Sequence, residues 1–176
     1  MQNVRNEGRR ASIPELGHTD VDELIVGMQL GRKPRGRWGV ARRCHLGVPM
    51  VIETHPRSED GAPFPTLFWL TCPVLVKRMS RLESAGELAR LTERLGADAA
   101  LRARLGRAVD AYRARRDSRE TIAESGGPPG GGPDRVKCLH AHAAHELADP
   151  PNAVGARALA RSGFPDCTLA CVMIEQ

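Results

Sequence analysis

Aromatic side chains are scarce in this sequence: two Trp, one Tyr and three Phe, 3% of 176 residues. So small a set excludes the stacked-base platforms that hold single-stranded nucleic acid, and it leaves a core to be built from Leu, Val, Ala and Met. Nucleic acid is therefore not an expected partner. Lysine is almost missing too, with Lys33, Lys77 and Lys137 alone among 26 basic residues. The excess of Arg reads as the coding bias of a GC-rich genome and carries no weight as arginine chemistry. No stretch approaches the ~20 apolar residues of a transmembrane helix and the first residues are polar, so no membrane partner is expected and the cytoplasm is the expected location. Neither a Gly-Lys-Ser/Thr phosphate loop nor a dinucleotide fingerprint occurs, which removes the motif basis for a nucleotide site. The five cysteines are odd in number and scattered through a chain long enough to bury a core unaided. That argues for reduced thiols or a metal site and against a disulfide framework.

What the chain does have is uneven charge. Its net charge is +5; residues 32–43 carry six cations and no acid, and residues 77–119 carry twelve cations against six acids. The second cluster reads as the solvated face of helices. The first reads as a basic loop open to an acidic small ligand or an acidic protein partner.

Periodicity then divides the chain. Residues 1–17 are polar and without period, the pattern of a disordered tail. Residues 18–162 read as a single α+β domain. Thr19 and Asp22 form a capping-box pattern, and Val21, Leu24, Ile25 and Met28 recur at helical spacing, which predicts an amphipathic helix ending near Gly31. Two short apolar runs, 39–44 and 49–54, flank a Gly-containing turn and predict a hairpin. A third run, 66–72, is apolar almost throughout and is expected in the middle of a small, mainly antiparallel sheet of about three strands. Leu75, Met79 and Leu82 share one helical face and Leu88, Leu91 and Leu95 another, so a break is expected at Gly86. Asp98 caps a further helix with Leu101, Leu105, Ala108 and Tyr112 on its core stripe. Residues 125–133 are rich in Gly and Pro and read as a flexible loop. Asp134 then caps a helix running to about Ala148, a short helix covers 153–161, and 163–176 is a tail holding Cys167 and Cys171. Four to five helices packed on the sheet are expected.

Several phrases stand together in a way that carries a resemblance. Gly61-Ala62-Pro63-Phe64-Pro65-Thr66-Leu67-Phe68-Trp69-Leu70-Thr71-Cys72-Pro73, Ser80-Arg81-Leu82-Glu83 and Pro133-Asp134-Arg135-Val136-Lys137-Cys138-Leu139-His140 are long enough to be specific. With Arg43-Cys44 and Gly47-x-Pro49 they resemble the bacterial family of unknown function DUF501 over about residues 21–160. The resemblance implies no reaction, ligand or catalytic residue. It implies only an association with cell division or polyphosphate metabolism, because members are often encoded beside a coiled-coil cell-division protein and an exopolyphosphatase.

The chemistry is expected around residues 134–147, which hold His140, His142, His145 and Cys138. Thiolate and imidazole are the ligands of zinc. On a helix spanning 134–148, Cys138, His142 and His145 share one face, whereas His140 lies beside the apolar stripe of Val136, Leu139, Ala143 and Leu147. The phrase shared with DUF501 includes His140 instead of His142. The candidate ligands are therefore Cys138, His145, His140, Cys44 and Cys72, with zinc the metal their chemistry suits and Cys167 and Cys171 as further thiols. Cys138 is also a candidate nucleophile, since a helix start flanked by Arg135 and Lys137 favours thiolate. A third reading is phosphate or polyphosphate binding by Arg32, Arg35, Arg43, Arg135 and Lys137 near that same helix start.

Overall fold

The structure, a computed structural model, describes residues 16–58, 60–122 and 127–172. Thr19 opens helix α1 (Asp20–Leu30): its hydroxyl accepts the Asp22 amide while the Asp22 carboxylate accepts the Thr19 amide, so two donors without helical partners are satisfied reciprocally. Strand β1 (Trp38–Arg43) pairs antiparallel with β2 (Pro49–Thr54), and β3 (Phe68–Leu70) pairs antiparallel with the other side of β2. The order is therefore β1-β2-β3, with β2 central and buried along its length.

The apolar run 66–72 thus supplies a short edge strand, not the middle of the sheet. Its unbroken hydrophobicity has another cause, which is that both faces are covered. Val26 and Leu30 of α1 pack with Ile52 and Trp69 on one face. Val51, Phe68 and Leu70 turn to the other, where the remaining helices build the main core.

Those helices follow the leucine phases closely. Helix α2 (Pro73–Ser84) buries Leu75 and Met79, and α3 (Glu87–Ala97) buries Leu91 and Leu95. Gly86 separates them at φ +81°, a left-handed backbone that glycine adopts without strain. Helix α4 (Ala99–Arg119) starts at Asp98, whose carboxylate accepts the Leu101 amide, and buries Leu101, Leu105, Ala108 and Tyr112. Strands β4 (Gly131–Gly132) and β5 (Arg135–Val136) form a small hairpin ahead of α5 (Leu139–Ala148) and α6 (Ala153–Ser162). The fold is α+β, with six helices among the described residues, more than the four to five expected. None of them is long and apolar enough to cross a membrane.

Two elements depart from the sequence reading. On α1 the residue fully removed from solvent is Val26, while Val21, Leu24 and Met28 are 54%, 58% and 58% exposed. The sheet offers α1 only a narrow apolar strip of Trp38, Ile52 and Trp69, and Val26 with Leu30 fills it. The second departure is the helix expected from Asp134, which begins at Leu139. Its would-be first turn is spent in the hairpin: the Lys137 and Cys138 amides both donate to the Gly130 carbonyl, and the Val136 amide donates to Thr92 Oγ1. Residues 127–133 accordingly form turn and strand, while 125 and 126 lie outside the described residues, as do 1–15 of the expected N-terminal tail. Gly17 closes against β1 through its carbonyl, which accepts the Val40 amide. At the other end Arg78 grips both carboxylate oxygens of Asp166.

Candidate functional site

The late start of α5 decides where the histidines go. Cys138 becomes its N-cap, and since it offers no side-chain cap, the carboxylate of Glu83 on α2 does so instead, its Oε1 accepting the Leu139 amide at 2.6 Å. An anion at a helix N-terminus is where the backbone dipoles favour it. The same Oε1 stands 3.2 Å from Nδ1 of His140, and Sγ of Cys138 stands 3.8 Å from that nitrogen. The other ring nitrogen of His140, Nε2, donates to the Val76 carbonyl at 3.1 Å. Ser80 Oγ, which itself donates to Val76, lies 3.2 Å from Nε2. Both ring nitrogens thus face acceptors, a setting that favours imidazolium. The hydrogen bond to Cys138 is the largest influence, ahead of the Glu83 charge, and together they push the His140 pKa up to about 9 against the opposing effect of burial.

His142 and His145 have the opposite environment. Both are buried, and burial pushes each down to about 4. His142 donates from Nε2 to the Gly130 carbonyl. The two hydrogens of the Asn152 side-chain amide then go one to Nδ1 of His142 and one to Nδ1 of His145, at 3.1 and 3.0 Å. Both nitrogens of His142 are therefore occupied in holding α5 to the hairpin and to α6. The His145 ring is packed between Phe68 and Tyr112. The expected face of Cys138, His142 and His145 is not formed, and His140, expected at the core, is the imidazole beside the thiol. The cause is that Cys138 precedes the helix in extended backbone, so helical phase no longer relates its side chain to positions 142 and 145, which turn inward with Ala143.

Among the described residues one group of three places ligating atoms within 4.8 Å of one another: Glu83, Cys138 and His140. Cys44 and Cys72 stand apart from it. Cys72 is buried, its thiol pushed up by desolvation, and its electrostatic neighbours are Cys167 and Cys171. Cys44 is half-buried against the main core. The residues considered for an anion are dispersed. Arg43 is tied to Asp22 by two bonds of 2.7 and 2.8 Å, which hold the Asp22 carboxyl at about 2. Arg35 lines a cleft with Lys33 and Asp60, Arg32 lines another, and Arg135 and Lys137 sit exposed at the hairpin, whose amides are already used.

Cys138 and His140 form part of the wall of a cleft of about 630 Å³. Apolar side chains dominate its lining, among them Leu30, Phe68, Leu70 and Val76. Three of its wall residues also carry a buried polar atom without a partner among the described residues: Gln29 Oε1, Trp69 Nε1 and Thr71 Oγ1. The orientation of Gln29 is fixed, since its Nε2 donates to the Pro49 carbonyl at 2.8 Å and leaves Oε1 as the idle acceptor. Those three atoms are buried behind the wall, and the mainly apolar lining in front of them is the usual form of a small-ligand site.

The profile of the family described as "Protein of unknown function (DUF501)" matches residues 40–160. The chain belongs to the DUF501 family. No curated protein and no solved structure matches it. The DUF501 span contains Glu83, Cys138, His140, Trp69 and Thr71, and Gln29 lies before it. Glu83 is the member that the sequence reading missed. Its signal was present in the phrase Ser80-Arg81-Leu82-Glu83, which lies 55 residues from Cys138 in the chain and offers no spacing rule to connect the two.

Proposed function

We propose that this DUF501 chain binds one divalent metal, zinc by ligand chemistry, through Glu83, Cys138 and His140, the last two of which line a small-ligand cleft. The observation that carries the reading is the convergence of three ligand atoms, with Glu83 held by the Leu139 amide and the His140 ring held by the Val76 carbonyl. Tetrahedral zinc with bonds of roughly 2.0–2.3 Å sets neighbouring ligand atoms about 3.3–3.6 Å apart. The separations of 3.2 and 3.8 Å around His140 Nδ1 are close to that. The Nε2–H bond to the Val76 carbonyl is the outer-shell contact that orients a metal-binding imidazole. Three protein ligands leave a position for water or substrate, and a zinc ion there supplies Lewis acidity to an oxygen placed in the cleft. Free thiols throughout the chain suit a reducing compartment, which supports the cytoplasm as its location.

Protein purified without an affinity tag or chelator should contain about one zinc per chain. His140→Ala and Cys138→Ser should lose it, and Cys44→Ser and Cys72→Ser should keep it. A folded, metal-free preparation that takes up none of added micromolar zinc overturns the reading.

One observation favours a second reading, a reactive thiol with an imidazole partner: Cys138 Sγ stands 3.8 Å from His140 Nδ1, at the N-cap position of α5. In that case Cys138 alkylates faster than the other cysteines in metal-free protein at neutral pH, and equal rates exclude it.

A further inference from the structure

Four of the five cysteines lie at one end of the sheet. Antiparallel pairing brings the end of β1, the start of β2 and the end of β3 together there. Cys44 follows β1, and its amide donates to the Val48 carbonyl. Cys72 follows β3, and its amide donates to the Met50 carbonyl at 3.4 Å. Cys167 and Cys171 arrive with the tail after α6: the His45 ring donates from Nε2 to the Cys167 carbonyl at 2.8 Å, and Gln29 Nε2 stands 3.8 Å from Cys171 Sγ. All four are free thiols.

Geometry selects a pair among them. A disulfide needs Cα atoms less than about 7 Å apart. Cys44 and Cys72 flank β2 on opposite sides, two strand spacings or about 10 Å apart, and are too distant to pair with each other. Cys167 is held to the β1 side by His45, the residue after Cys44. Cys171 lies instead by Gln29, whose Nε2 also donates to the carbonyl of Pro49, next in the chain to the Met50 that holds Cys72. Burial pushes the Cys72 thiol up, and the ionisable groups that act on it are Cys171 first and Cys167 second. Residues 164–172 form neither helix nor strand, so no hydrogen-bonded ladder opposes a small shift of Cys171.

From this we infer that Cys72 and Cys171 form a reversible disulfide when the protein meets a disulfide oxidant, a modification that fastens the tail to the end of the sheet. Cys171 is exposed whereas Cys72 is 4% exposed, so the tail thiol meets the oxidant first. Its thiolate attacks one sulfur of a disulfide such as oxidised glutathione, whose S–S bond breaks and releases one thiolate. The Cys72 thiolate then attacks the Cys171 sulfur, the protein S–S bond forms and the second thiolate leaves. The two protons of the protein thiols end on the two released thiols, and the two electrons lost by the protein reduce the oxidant. Gln29, Thr71 and Pro73, which adjoin the two cysteines, also line the cleft, so the oxidised tail is held beside its wall. The inference does not depend on the metal, since Glu83, Cys138 and His140 take no part in it.

The test uses the full chain, with and without one equivalent of zinc, incubated with oxidised glutathione, alkylated under denaturing conditions and mapped by mass spectrometry. A crosslinked pair of peptides containing Cys72 and Cys171 is expected in both metal states and should be reversed by dithiothreitol. The bridge closes a loop of about 100 residues, so the melting temperature should rise by about 5 °C or more. Cys171→Ser, a change at an exposed position, should leave Cys72 open to alkylation, and Cys44→Ser should leave the bridge intact. Full alkylation of Cys72 after oxidation of the unaltered chain, or Cys171 recovered on Cys167 or on glutathione alone, overturns the inference. A bridge that fails to raise the melting temperature forms only by distorting the fold and overturns it equally. A chain that holds no zinc and still forms the bridge sinks the metal reading alone.

Discussion

The ring of His142 donates to the carbonyl of Gly130 at 2.9 Å, which fastens the helix bearing the candidate site to the hairpin in front of it. The hairpin tolerates little substitution at that point. A Cβ at Gly131 would lie 2.1 Å from the Arg135 carbonyl, and its φ of +98° already disfavours any other residue, whereas a Cβ at Gly132 meets nothing within 4 Å. Gly131→Ala should therefore cost about 3 kcal/mol or more and Gly132→Ala well under about 1 kcal/mol, measured by urea unfolding. Equal losses would show that the hairpin does not constrain the fold.

Stability should depend on pH in two limbs. His142 and His145 have folded pKa values lowered to about 4, so the unfolded chain binds protons more readily as pH falls below about 6.5; their contribution is present above that pH and is lost towards 4. A loss of a few kcal/mol is expected on this acid limb. His140, raised to about 9, works the other way: its contribution is present below about 6.5 and disappears as pH rises through 9 in metal-free protein. Melting temperatures across this range should peak near neutrality. His140→Gln should flatten the alkaline limb alone, and a variant that flattened both would contradict the assignment.

Glu53 is buried on the central strand, with Arg115 at 2.7 Å and Arg119 at 2.5 Å, both from α4. Removing the acid takes a shared, buried anion from two guanidinium groups, of which Arg115 keeps Asp149 at 3.3 Å. Glu53→Ala should cost about 3–5 kcal/mol. A loss below about 1 kcal/mol, the worth of an exposed pair, would mean that solvent reaches the trio.

The exposed stripe of α1 gives the contrasting case. Val26→Ala should cost about 2 kcal/mol, since the residue is fully buried against Trp38 and Ile52. Leu24→Gln and Met28→Gln should stay within about 0.5 kcal/mol in thermal unfolding. Losses in the reverse order would place the stripe in contact with protein.

The parts of this fold that were legible in the sequence are those set by local rules. The capping box at Thr19, the break at Gly86, the cap at Asp98 and the hairpin of β1 and β2 each follow from a few adjacent residues. The face that α1 buries and the edge position of β3 depend on what covers them, and periodicity does not carry that information. The start of α5 was misplaced because the Asp134 cap signal competes with a Gly-Gly hairpin whose carbonyl captures the amides a helix would have used. Cys138 lies in extended backbone outside α5, so the helical spacing that grouped it with His142 and His145 does not apply to it. The family phrase Cys138-Leu139-His140 pointed to the observed pair, whereas helical geometry applied from the wrong origin pointed away from it.

One oxygen atom, that of Gly130, accepts the amides of Lys137 and Cys138 and the ring of His142. The thiol of Cys138 therefore has no resting place independent of the ribbon before it. If the ribbon opens, the sulfur leaves the imidazole and the first turn of α5 frays in the same event. Deuterium uptake at the Lys137 and Cys138 amides then becomes a clock for the site, since it counts the openings in which sulfur and imidazole separate.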